Sequence, residues 1–141
     1  MKKSIGTTLL FLCLMACHYS NQLHSDRVLT EKIEAEFSSG KNISDLGKID
    51  GFEWTELLIL APYTSIDTVE SELDLNLESL GEHAIEHLDS IYLLVFLNHR
   101  KPVKIAEVSI RIGGFTNPGQ IIGRNKAQFT KTQSGSNQLI E

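Results

Sequence analysis

Two short runs leave this chain little choice of architecture: Leu57-Leu58-Ile59-Leu60 and Leu93-Leu94-Val95-Phe96-Leu97. Each is apolar at every position, so an extended strand there buries both of its faces, as a central strand does. The first run begins mixed, at Phe52-Glu53-Trp54-Thr55-Glu56, and should stop at Pro62, which cannot donate to a ladder. The second leads through His99-Arg100-Lys101-Pro102 into a segment that alternates. There Ala106, Val108, Ile110 and Ile112 share one face, and Glu107, Ser109 and Arg111 share the other. Two such strands joined by a short turn predict a hairpin.

The flanking segments predict helices. Leu29, Ile33 and Phe37 recur at i, i+4 and i+8 within residues 28–37, and Gly40 follows as a stop. Thr64-x-x-Asp67 reads as a capping box ahead of Ile66, Val69 and Leu73. Ser79-x-x-Glu82, with Ala84 and Leu88, suggests another short helix. Residues 42–52 and 113–120 read as loops, and 126–132 as a weak edge strand. The expected fold is α+β: a small antiparallel sheet with two or three helices on one face. Leu58, Leu60, Leu94, Phe96, Val108 and Ile110 are expected to share one core. Trp54, Tyr63, Tyr92 and Phe96 are expected to close it, with polar tips reaching water.

The amino terminus has a different logic. Lys2 and Lys3 precede an apolar stretch from Ile5 to Ala16, too short to span a bilayer. A positive start, a short apolar region and a small residue before the break describe an export signal. Leu14-Met15-Ala16-Cys17 resembles the bacterial lipobox. The resemblance implies cleavage between Ala16 and Cys17, diacylglycerol on the Cys17 thiol and acylation of the new amino terminus. It also implies a lipid-anchored protein of the cell envelope. His18 stands where Asp would signal retention at the inner membrane, which favours an outer-membrane, periplasm-facing location. Cys13 leaves with the signal, so no disulfide can form. The chain then divides into a signal at 1–16, a lipidated cysteine and tether at 17–25, one globular domain at 26–132 and a flexible tail at 133–141.

Gly51-Phe52-Glu53-Trp54, the strand ending in Pro62-Tyr63-Thr64, and "LLVFLN" with its basic turn resemble a group of small bacterial lipoproteins and secreted proteins. No activity is known for the group. The resemblance covers about residues 50–112 and departs at Thr55 and at the His99–Pro102 turn. It implies one compact domain and carries over no functional residue.

Chemistry is sparse. His83-Ala84-Ile85-Glu86-His87 fits a zinc-peptidase spacing, in which a helix would set His83 and His87 one turn apart. The pattern lacks a third ligand and its long flanking helix, so these two are weak metal candidates only. Gly40-Lys41-Asn42 is not a phosphate loop, which needs Ser or Thr after the lysine. Gly113, Gly114, Gly119 and Gly123, with Arg124 and Lys126, could cradle an anion, though such spacing more often marks a hairpin loop. No catalytic residue and no cofactor are assigned.

Charge is the feature least explained by packing. Residues 26–89 hold sixteen acids and four bases, whereas residues 99–131 hold seven bases and one acid. The net charge of −5 becomes −7 once Lys2 and Lys3 are cleaved away. Such a balance argues against a nucleic-acid partner. Either the two regions lie against one another, or they orient the domain toward a partner or a membrane. The reading that follows is a tethered binding module that meets an envelope protein. The alternative is an inhibitor or immunity-type lipoprotein acting on a hydrolase or toxin in the periplasm. An enzyme built on His83 and His87 ranks last.

Overall fold

A computed structural model describes residues 21–141; Leu14, Met15, Ala16, Cys17 and His18 lie outside the described residues. Among the described residues the fold is α+β, with two α-helices and two antiparallel sheets. Helix α1 spans Arg27–Ser38 and α2 spans Ile66–Leu73. The strands are β1 (Ile43–Asp45), β2 (Glu56–Leu60), β3 (Ile91–Asn98), β4 (Lys101–Ser109), β5 (Ile121–Gly123), β6 (Gln128–Lys131) and β7 (Asn137–Leu139). One sheet has the order β4-β3-β2-β5, the other β1-β6-β7.

The two apolar runs form β2 and β3 at the centre of the larger sheet, paired from Glu56↔Leu97 to Leu60↔Leu93. Their alternate residues face opposite ways. Leu57, Ile59, Leu94, Phe96, Ala106 and Val108 pack under α1 and the smaller sheet, with Phe37, Phe115 and Phe129. Leu58, Leu60, Leu93, Val95, Leu97 and Ile105 pack under α2 and the 74–85 loop. The helices therefore cover opposite faces, and the expected single core is two cores divided by the sheet. Continuous apolar strands require this, since either face left bare would expose a row of Leu and Val to water.

The His99–Arg100 turn closes the β3–β4 hairpin with two residues at positive φ, 47° and 66°. That is the turn hand that suits strand twist, and it normally favours Asn or Gly. Here neighbouring side chains hold it: His99 N–H donates to Thr55 Oγ1 and Arg100 N–H to Glu56 Oε2, both at 2.9 Å. The free edge of β4 is covered too. Ile105 C=O accepts from Asp26 N–H (3.0 Å), and Glu107 N–H donates to Ser25 Oγ (2.9 Å). Glu107 C=O accepts from Thr30 Oγ1 (3.1 Å), and Ser109 N–H donates to Glu34 Oε1 (2.7 Å). An edge so occupied offers no template to another strand.

Several expectations are corrected. Helix α2 is capped by Ser65, whose Oγ accepts from Thr68 N–H at 3.4 Å; Thr64 instead donates to Ala61 C=O at 2.6 Å. Residues 79–88 form no helix. Ala84 N–H is drawn to Glu107 Oε1 (3.1 Å), and a single turn follows, with His87 N–H on Ala84 C=O (3.0 Å). Ile110 is 43% exposed, because Ser109 Oγ accepts from Arg111 N–H and starts a 3-10 turn that ends the alternation. Residues 133–141 are no loose tail: β7 pairs with β6, and Asn137 is 1% exposed. Nor does the tether run to residue 25, since Leu23 packs on the α2-side core and exchanges backbone bonds with Ser79 and Gly81.

Candidate interaction surface

From Ile49 to Asn98 the chain contains no Lys or Arg. Eleven carboxylates lie within it: Asp50, and a further ten at Glu53, Glu56, Asp67, Glu70, Glu72, Asp74, Glu78, Glu82, Glu86 and Asp89, of which the last eight lie on α2 and the loops that flank it. Among the described residues the ion pairs are Arg27–Glu31, Lys32–Asp50, Lys41–Glu36, Lys48–Asp45 and Lys104–Asp26. None uses any of the ten. Some accept backbone bonds: Glu70 from Leu77 N–H at 2.5 Å and Glu86 from Ile66 N–H at 3.0 Å. Asp67, Glu72, Asp74, Glu82 and Asp89 are exposed.

Only Asp67, in the first turn of α2, is placed for helix stability. The last turn of α2 has no base, and Glu70, Glu72 and Asp74 crowd its carboxyl end, where the helix dipole disfavours anions. Only Arg100 relieves it, with Nη2 donating to Leu73 C=O at 2.5 Å and Asp74 C=O at 3.2 Å. Just before α2, Tyr63 is 63% exposed at φ 62° and is not part of the expected core rim. Its N–H donates to Ile85 C=O at 2.8 Å, and that bond holds the left-handed backbone against its steric cost. Beside it runs a groove of about 330 Å³ lined by Ala61, Thr68, Val69, Glu72 and Pro118.

The basic hairpin divides. Arg100 is bound to the end of α2, and Lys104 pairs with Asp26 at 2.5 Å and stands 5.6 Å from the Phe52 ring centre. Lys101 is left exposed. The Lys104 hydrogen bond, then the Leu29 N–H that Asp26 caps, hold the Asp26 carboxyl below its ordinary value of 3.8. Glu36 is lowered in the same way by Lys41 and by the N–H of Asp45.

The other sequence candidates resolve into structure. His83 and His87 share no helix. His87 is exposed, His83 Nδ1 is buried without a hydrogen-bond partner, and Glu86 is held by α2. Among the described residues no group of three or more His, Cys, Asp or Glu is placed to hold a metal. Arg124 is no anion cradle. Its guanidinium donates to Gly47 C=O (3.0 Å), Ile49 C=O (2.9 Å) and Trp54 C=O (3.5 Å), and lies 4.8 Å from the Trp54 ring centre. Trp54 is itself 2% exposed, its indole N–H on Ile49 C=O. The Gly113–Gly114 loop is tied down by Asn137, whose amide donates to Ile112 C=O (3.2 Å) and Gly113 C=O (2.9 Å), and by Lys131 on Ile112 C=O. Desolvation lowers the Lys131 pKa there. The sequence shows the acidic excess and singles out Tyr63, but as part of the core rim rather than a partner anchor; its adjacency to Pro62 gave no sign of a left-handed backbone.

The chain matches no family model, no curated protein and no solved structure.

Proposed function

We propose that this chain is a lipid-anchored protein of the cell envelope, attached through Cys17, whose domain docks a basic envelope protein on its acidic face. The anchor rests on the Leu14-Met15-Ala16-Cys17 pattern, and His18 favours the outer membrane. The observation that carries the docking is the set of ten carboxylates that no base among the described residues neutralises with an ion pair. A surface of one sign attracts an opposite one over distance and speeds encounter. Tyr63 offers such a partner an aromatic contact that is already exposed and conformationally held. A periplasmic hydrolase or toxin of basic character is one partner of this kind, and the domain would then act as its inhibitor. No catalysis is assigned to the domain.

The test is capture from membranes with the intact lipoprotein, followed by mass spectrometry. A basic protein retained at low salt and released at high salt is expected. Capture only of neutral or acidic proteins would contradict the reading.

A further inference from the structure

The chain is fastened close to its anchor. Leu23 N–H donates to Ser79 C=O (2.7 Å), Gly81 N–H to Leu23 C=O (2.8 Å), and Asp26 N–H to Ile105 C=O (3.0 Å). The Leu23 side chain packs into the α2-side core. Gly81 is required for this approach, since a Cβ there would lie 2.7 Å from the Leu23 carbonyl oxygen. Resting on the lipid-anchor reading, we infer that this strap orients the domain: the 76–82 rim is its membrane-proximal part, with the lipid surface as neighbour, and the β1-β6-β7 sheet stands on average farther off.

From Cys17 to Leu23 is six residue steps, which span at most about 20 Å in any conformation. A domain of this size is about 35 Å across. The strap runs from Leu23, on the α2 side of the large sheet, along the β4 edge at Ser25 and Asp26 to the start of α1, whereas the small sheet packs on the α1 side through Phe129. Gly81 N–H is bonded to Leu23 C=O, so the 76–82 rim stays within about 25 Å of the bilayer at any tilt, and the far side of a domain about 35 Å across is not so confined. Glu78 and Glu82, on that rim, are thereby kept near the membrane, where a partner that is itself bound to the membrane would meet them.

Cysteine labels test this, because acylated Cys17 leaves no free thiol in the mature protein. Glu82→Cys, on the rim, and Asn42→Cys, at the start of β1, are both exposed positions. Each full-length lipidated variant is spin-labelled and inserted in phosphatidylethanolamine–phosphatidylglycerol vesicles that carry a nickel-chelating lipid. Relaxation of the Glu82→Cys label by headgroup nickel should be several-fold stronger than that of the Asn42→Cys label. A flexible insert of about twenty Gly and Ser residues between Ser20 and Asn21 should remove the difference, since it lets the domain turn freely. Equal relaxation at the two sites, or a difference that survives the insert, would overturn the inference. Vesicle flotation and palmitate incorporation separate that result from failure of the anchor. Protein that floats and carries palmitate yet relaxes equally refutes the orientation alone. Protein that does neither refutes the anchor, and the orientation with it.

Discussion

Arg124 joins three carbonyl groups from the 47–54 loop and lies over Trp54; the Asp50 carboxylate feels its charge but pairs with Lys32. A planar fork of donors suits this position and a single ammonium does not. Arg124→Lys should therefore leave carbonyls unsatisfied and cost about 1–3 kcal/mol. Urea denaturation measures it, and an unchanged midpoint would contradict the assignment. Asp26 and Glu36 carry the acid sensitivity. Their folded pKa values lie below the ordinary 3.8 and 4.5, so their contribution is fully present above those values. It is lost as pH falls through the folded values. Stability should decline from about pH 4 downward, and Asp26→Asn should flatten that slope. An unaltered slope would mean that the Lys104 pair contributes nothing. The sequence shows Arg124 only as a base in a glycine-rich stretch; its carbonyl partners lie about seventy residues away, and backbone acceptors leave no mark on side-chain identity.

Most of the elements were legible. The helix α1 stripe, the strand β3 and the hairpin appear where periodicity puts them, because burial of one face or both dictates residue type directly. The division of the core was missed by the expectation of one core with helices on one face, although the runs at 57–60 and 93–97 are apolar on both faces and demand two covers. What local pattern could not supply was the role of short polar segments. Strand β7 contains Asn137 and Gln138 and lies in a stretch of Ser, Gly and Asn that reads as a tail. It is ordered through the Asn137 bonds to Ile112, Gly113 and Gly114, which are long-range contacts. The would-be helix at 79–88 is lost for a similar reason, since Leu23 and Glu107 claim its backbone. The two-core arrangement makes a quantitative prediction. Leu58→Ala and Leu94→Ala each remove a fully buried side chain, on opposite faces of the sheet. Each should cost about 2–5 kcal/mol in chemical denaturation. An unchanged midpoint for either variant would mean that its face of the sheet is not covered as described.

At the scale of the whole molecule, the proposed anchor and the proposed acidic docking face each make a prediction. Acylation at Cys17 with more than one chain holds a protein far more firmly than a single acyl chain does. Cys17→Ser should leave unprocessed precursor or release soluble protein, and labelled palmitate should no longer attach. Equal palmitate labelling of wild type and variant would remove the anchor. On the domain, Glu72 stands in the last turn of α2 against its dipole, and Glu82 and Asp89 are exposed, so their replacement by lysine should not weaken the fold. That separates binding from stability. The most direct measurement is the association rate of the soluble domain, residues 21–141, with the protein captured from membranes, for wild type and for the triple variant Glu72→Lys, Glu82→Lys and Asp89→Lys. The account predicts an unfolding midpoint that is unchanged or raised, and association that is much slower in the variant. It also predicts a wild-type rate that falls as salt shortens the Debye length to about 8 Å at physiological ionic strength. Equal rates for the two proteins at low salt would contradict it.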